Sequence, residues 1–213
     1  MALETLGKLF SSIARVKIMR LFLLNPEYCF DIADVTSRSR VSRPVARKEV
    51  NSLVSTGLLK QKTFSKEMPA TPRKKAGTKR VQGYCLNTSF QYVDNLKNLL
   101  IDAEFLRPND LVQRFRRAGK IKLFVVSGVF IGDMDSRVDF MLVGDNIRKG
   151  TLESAVKTLE AEIGKELSYA VFETQDFLYR MSMYDKLIRD VLDFPHERLI
   201  ESPQFSTLFL KKA

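Results

Sequence analysis

Between residues 25 and 57 the chain is punctuated so densely that few local architectures fit. Asn25-Pro26 stops the helix before it, because proline disfavours helix in the preceding residue and cannot continue the ladder. Asp31 offers an acceptor to the orphan amides of a new helix, whose Ile32 and Val35 face inward. The turn Ser39-Arg40-Val41 leads to Ser42, a good N-cap, with Pro44 in the first helical turn. Ala46, Val50, Leu53 and Val54 then recur at i, i+4, i+7 and i+8 as one apolar stripe, and Gly57 closes the helix. Upstream, Leu6, Phe10, Ile13, Leu21 and Leu24 recur at helical spacing and predict one helix over residues 3–24. Three helices with a tight turn between the second and third make a helix-turn-helix.

Away from its stripe the third helix offers Ser42, Arg43, Arg47, Lys48 and Asn51, residue types that contact phosphates and base edges. Leu58–Phe64 reads as a strand and Arg80–Asn87 as its return partner. Between them runs SKEMPATPRKKAGTKR, which predicts a long hairpin with a basic tip carrying Arg73, Lys74, Lys75, Lys79 and Arg80. The net charge is +10, and its placement matters more than its size. Residues 1–100 hold 18 Lys+Arg against 7 Asp+Glu, a net of +11, so residues 101–213, with 17 against 18, carry −1. From 36 to 80 there are 13 Lys+Arg and only Glu49 and Glu67. A polyanion partner for the first half follows from that asymmetry.

Helix-turn-helix followed by a basic two-stranded hairpin resembles the winged helix-turn-helix of bacterial and archaeal transcriptional regulators. FDIADVTSRSRVSRPVARKEVNSLVSTGLL is similar to that superfamily along its length. The resemblance implies double-stranded DNA as partner, with the third helix in the major groove. Arg43, Arg47, Lys48 and Asn51 would read sequence, while Arg73, Lys74, Lys75, Lys79 and Arg80 would supply salt-sensitive phosphate contacts. It also points to a symmetric dimer, as regulators reading two half-sites commonly are.

Several classes are set aside by composition. No apolar run approaches the roughly 18–20 residues that span a bilayer. The start, MALETLGKLFSS, is amphipathic with an early acid and does not read as a secretory signal. Cys29 and Cys85 lie far apart, form no CxxC pair and are expected to be buried and reduced, which fits a cytoplasmic protein. With the single His196 they make no zinc site. No metal or cofactor is expected.

The expected organisation is α+β: a winged helix over 1–88, a helical connector over 89–118 broken at Arg107-Pro108-Asn109, and a small mixed-sheet domain over 119–213. In the last, strands at 121–126, 138–143 and ELSYAVFE surround the helix TLESAVKTLEAEIG, with TQDFLYRM and MYDKLIRDVLD helical after them. The stretch SGVFIGDMDSRVDFMLVGD looks like the glycine turn and metal-binding strand of the minimal nucleotidyltransferase fold. That fold uses a Gly-Ser turn, two aspartates at i and i+2 on the next strand, and a third carboxylate on a later strand. Here Ser127-Gly128 reverses the order, Gly132 is the later glycine, and Arg137 takes the first aspartate's place with Asp139 at the second. Ser168, Tyr169 and Ala170 stand where the third carboxylate would be sought. One carboxylate does not hold two divalent cations, and Arg137 is a natural partner for Asp139. Asp133, Asp135 and Asp145 read as turn acids. A non-catalytic module that binds a nucleotide, a protein or its own twin is expected; the competing expectation is a magnesium-dependent nucleotidyltransferase of the toxin–antitoxin kind.

Overall fold

The structure, a computed structural model, describes residues 2–68, 77–101, 108–133 and 136–210. Among them it is α+β, with ten α-helices and two β-sheets. The chain divides into two compact units, Met1–Asp102 with Thr158–Lys165, and Ala103–Lys157 with Glu166–Ala213.

The first unit is built around α2 (Ile13–Leu23), which buries Val16 and the whole run from Ile18 to Leu23. Each apolar side chain buried there contributes about 1.5–3 kcal/mol. The single helix expected over residues 3–24 is two. Ser11 turns left-handed (φ 60) after α1 (Ala2–Leu9), and the Ser12 hydroxyl caps α2 by accepting from the Arg15 amide. A short strand, β1 (Cys29–Phe30), leads into α3 (Ile32–Ser39), which starts on the expected cap: Asp31 accepts from the amides of Ala33 and Asp34. Arg40 takes a left-handed conformation (φ 50) at its end, and α4 (Arg43–Ser55) follows, burying Ala46, Glu49, Val50 and Leu53. Gly57 (φ +83) ends it as expected.

The two strands of the hairpin are longer than their apolar runs suggest. β2 (Leu59–Met68) and β3 (Gly77–Leu86) pair antiparallel from Leu59↔Leu86 to Met68↔Gly77, and β1 adds to the other edge of β3. That addition puts Cys29 directly opposite Cys85, and the two form a disulfide. The expectation of two reduced thiols is therefore corrected, and with it the cysteine argument for a cytoplasmic location. Their sequence separation of 56 conceals a cross-strand neighbourhood. After the hairpin, α5 (Val93–Ile101) counts with this unit. So does Thr158–Lys165: Gly164 (φ +93) lies so close to α2 that a Cβ would stand 2.6 Å from the Leu21 nitrogen. Arg20 donates to the carbonyls of Leu100 and Glu162, and burial lowers its guanidinium to about 10 against the opposing charge of Glu162.

The second unit opens with α6 (Pro108–Phe115). Its sheet has the order β6-β5-β4-β7, from β4 (Lys120–Val126), β5 (Phe140–Asp145), β6 (Tyr169–Glu173) and β7 (Glu197–Glu201). β4 pairs antiparallel with β5 and β7, whereas β5 and β6 run parallel with α7 (Lys149–Ile163) as the crossover between them. β7 and the closing helix α10 (Pro203–Leu210) were not expected. Side chains alternate across the sheet. Leu123, Val125, Met141 and Val143 meet Phe177 and Met181 of α8 (Thr174–Ser182), Ile188 and Val191 of α9 (Lys186–Asp193), and Phe205 of α10. On the opposite side Phe124 and Phe140 pack their rings with Phe115 of α6. Burial on both faces explains the unbroken apolar runs of β4 and β5.

Candidate nucleic-acid interface

Arg43, Arg47 and Asn51 stand at i, i+4 and i+8, so they share one face of α4. All three are exposed and line a groove of about 410 Å³. Its other walls are Asp31, Ile32 and Ala33 at the start of α3, and Val81, Gln82 and Tyr84 of β3. Lys48 and Ser42 are exposed but do not line the groove. Ser42 occupies the N-cap position without making the side-chain bond to the helix amides that its identity suggested.

Neighbouring acids are already engaged. Glu49 is buried and accepts from Arg15 Nε at 2.8 Å. Lys66 of β2 donates to Asp31 at 2.8 Å and to Asp34 at 2.6 Å, fastening the hairpin to the start of α3. Partial burial, the largest influence, would raise the Asp31 carboxyl, but the Lys66 bond, the amides and the Lys66 charge together hold it below its usual value. Burial likewise works against the Lys66 ammonium, yet its two carboxylate partners raise it above its usual value. Among the described residues, Arg43, Arg47 and Lys48 make no ion pair, and the helix face presents uncompensated positive charge.

The basic residues of the hairpin sort by strand alternation. Arg80 shares a strand face with Gln82 and Tyr84, and Lys79, opposite Lys66, shares the other with Val81; residues of both faces line the groove. Arg80 and Lys79 are both exposed. Arg73, Lys74 and Lys75 lie outside the described residues. Lys60 and Lys62, exposed on β2, were not singled out from the sequence, although alternation within LKQKTF carried the signal. Three of the bases between 36 and 80 are used internally. Lys66 holds Asp31 and Asp34, Arg38 lies 5.3 Å over the Phe30 ring, and Arg40 donates to Thr158.

In the second unit, the residues compared above with a glycine turn and metal-binding strand are bonded largely to one another and to nearby backbone. Asp139 is buried; its carboxylate accepts from the Val129 amide at 2.9 Å and the Ser168 amide at 2.8 Å. Gly128 (φ +58) lies against it so closely that a Cβ would stand 2.4 Å from Oδ1. Ser127 donates its hydroxyl to the Val138 carbonyl and its amide to the Asp139 carbonyl, and Gly132 (φ +77) lies in an open turn. The expected pairing of Arg137 with Asp139 is corrected: Arg137 binds Asp190 of α9, because Asp139 is already engaged by the two amides. Tyr169 stacks on Phe140 at 5.0 Å. Asp145 is bonded to Lys122 at 2.6 Å, a contact that holds its carboxyl below the usual range, and Asp133 accepts from Ser136. Asp135 lies outside the described residues. Ser127 and Arg137 line a cavity of about 480 Å³ with Asp190, Lys186 and Phe194, while Gly128, Gly132 and Asp139 do not. No group of three or more His, Cys, Asp or Glu that could hold a metal ion occurs among the described residues, and among them no helix is long and apolar enough to cross a membrane.

Comparison with known proteins gives no match: no family model fits the chain, and no curated protein or solved structure is similar to it.

Proposed function

We propose that the chain is a DNA-binding regulator. Its first unit is read as a winged helix-turn-helix in which α4 enters the major groove and the β2–β3 hairpin is the wing. The observation that carries this is the common face of Arg43, Arg47 and Asn51, exposed beside β3 and without an acidic partner among the described residues. Arginine forks match guanine and asparagine matches adenine in the major groove, while Lys48, Lys60, Lys62, Lys79 and Arg80 suit phosphates. Selection of bound fragments from random DNA, followed by titration of the winning duplex, tests the reading. Retention at low salt with affinity falling steeply as salt rises is expected. No retention, or binding indifferent to salt, overturns it.

The second unit is read as a nucleotidyltransferase-like module that does not transfer nucleotides. The occupied carboxylate of Asp139 supports this, since a group accepting from two backbone amides is poorly placed to ligate a cation. Magnesium-dependent transfer from a nucleoside triphosphate, abolished in Asp139→Asn, would refute it.

A further inference from the structure

We propose that the Cys29–Cys85 disulfide is a redox switch on the groove between α4 and β3, closed to hold two of its walls together and opened by a dithiol reductant. The inference rests on the DNA-binding reading. Cys29 lies two residues before Asp31, where the α3 wall begins, and Cys85 directly follows Tyr84 of the β3 wall. The bond therefore joins the two walls at their common end. Without it, β1 is a strand of two residues on the sheet edge, hydrogen-bonded to β3 alone. Strands that short hold little register by themselves. Phe30 stays anchored in the core against Phe22, and Lys66 still grips Asp31 and Asp34, so opening loosens the wall without unfolding the unit.

Chemistry and setting point the same way. Both cysteines are half-buried, which leaves room for an attacking thiolate. Compartments that hold DNA keep thiols reduced, and disulfides formed there are usually transient or sensing. In the opening step a thiolate of the dithiol attacks one sulfur, and the other cysteine leaves as a thiolate and takes a proton. The second thiol of the reagent resolves the mixed disulfide. The protein gains two electrons and two protons, and the reagent becomes its own disulfide. Oxidation by a disulfide reagent reverses each step.

The test uses the full chain, oxidised or reduced with dithiothreitol, with alkylation and mass measurement counting free thiols. Affinity for the selected duplex is read by fluorescence anisotropy alongside amide-exchange protection of residues 29–34 and 81–86. Reduction should expose two thiols, lower that protection and weaken binding by about tenfold, within the usual range of site coupling. The double variant Cys29→Ser, Cys85→Ser should bind like the reduced form and ignore the reagent. Equal affinity of the oxidised and reduced protein overturns the switch and leaves DNA binding standing. An exchange difference with no binding in either state removes the DNA reading, and this inference with it. Reduction of the unaltered chain provides the result if the double variant does not fold.

Discussion

Single side chains in the first unit divide into those that face outward and those that hold the surface in place. Arg47→Ala should weaken binding to the selected duplex by about 1–3 kcal/mol and relax preference at one base position, as measured by competition among variant duplexes. Lys66→Ala should behave in the opposite way, lowering stability while changing the salt slope little. Its pH dependence follows from the two partners. Asp31 sits below its usual 3.8, so its contribution is present above that value and is lost as pH falls through the lower folded value. Lys66 sits above its usual 10.5, so its contribution is complete below 10.5 and disappears only at still higher pH. The stability gap between the native chain and Lys66→Ala, followed by urea denaturation, should therefore stay flat across neutral pH and close at both extremes. Asp139→Ala should cost about 1–3 kcal/mol, because two amides lose their acceptor. A carboxylate kept only for a cation would cost far less, and the denaturation midpoint separates the two.

Among the elements, Phe177 of α8 is fully buried between the rings of Phe172 and Phe205. Phe177→Ala should destabilise the second unit by about 3–5 kcal/mol, read from its own unfolding transition. The elements also show what the sequence made legible. α3 and α4 announce themselves because their signals are local: Asp31, Pro44 and Gly57 act on amides within a turn or two of themselves. The break between α1 and α2 is hidden because Leu6, Phe10 and Ile13 keep helical spacing across it, although Ser12 caps α2. β1 and β7 are too short to carry an alternating pattern, and each exists only through a distant partner strand. The same holds at the sites. Arg43, Arg47 and Asn51 share a face by spacing alone, whereas the Arg137–Asp190 pair spans 53 positions and the disulfide 56. Nothing in the neighbouring residues records those meetings.

For the molecule as a whole, charge and covalent closure set the expected behaviour. Neutralising Lys79 and Arg80 together should weaken binding to all duplexes alike and reduce the salt slope by about 2, one for each phosphate contact removed. The disulfide closes a separation of 56 residues, and a loop of that length is worth about 4 kcal/mol through the unfolded chain. Thermal unfolding of the first unit should shift down accordingly on reduction. Chain order adds a further constraint. The first unit is completed by Thr158–Lys165, where the Glu162 carbonyl meets Arg20 and the Gly164 carbonyl meets the Asn25 amide group. A fragment cut after Asp102 would thus leave a buried guanidinium short of an acceptor and a strip of α2 bare. In evolutionary terms the two units are not interchangeable cassettes. Recombination at the obvious seam would separate the first unit from eight of its own residues, so the pair is expected to be inherited together or lost together.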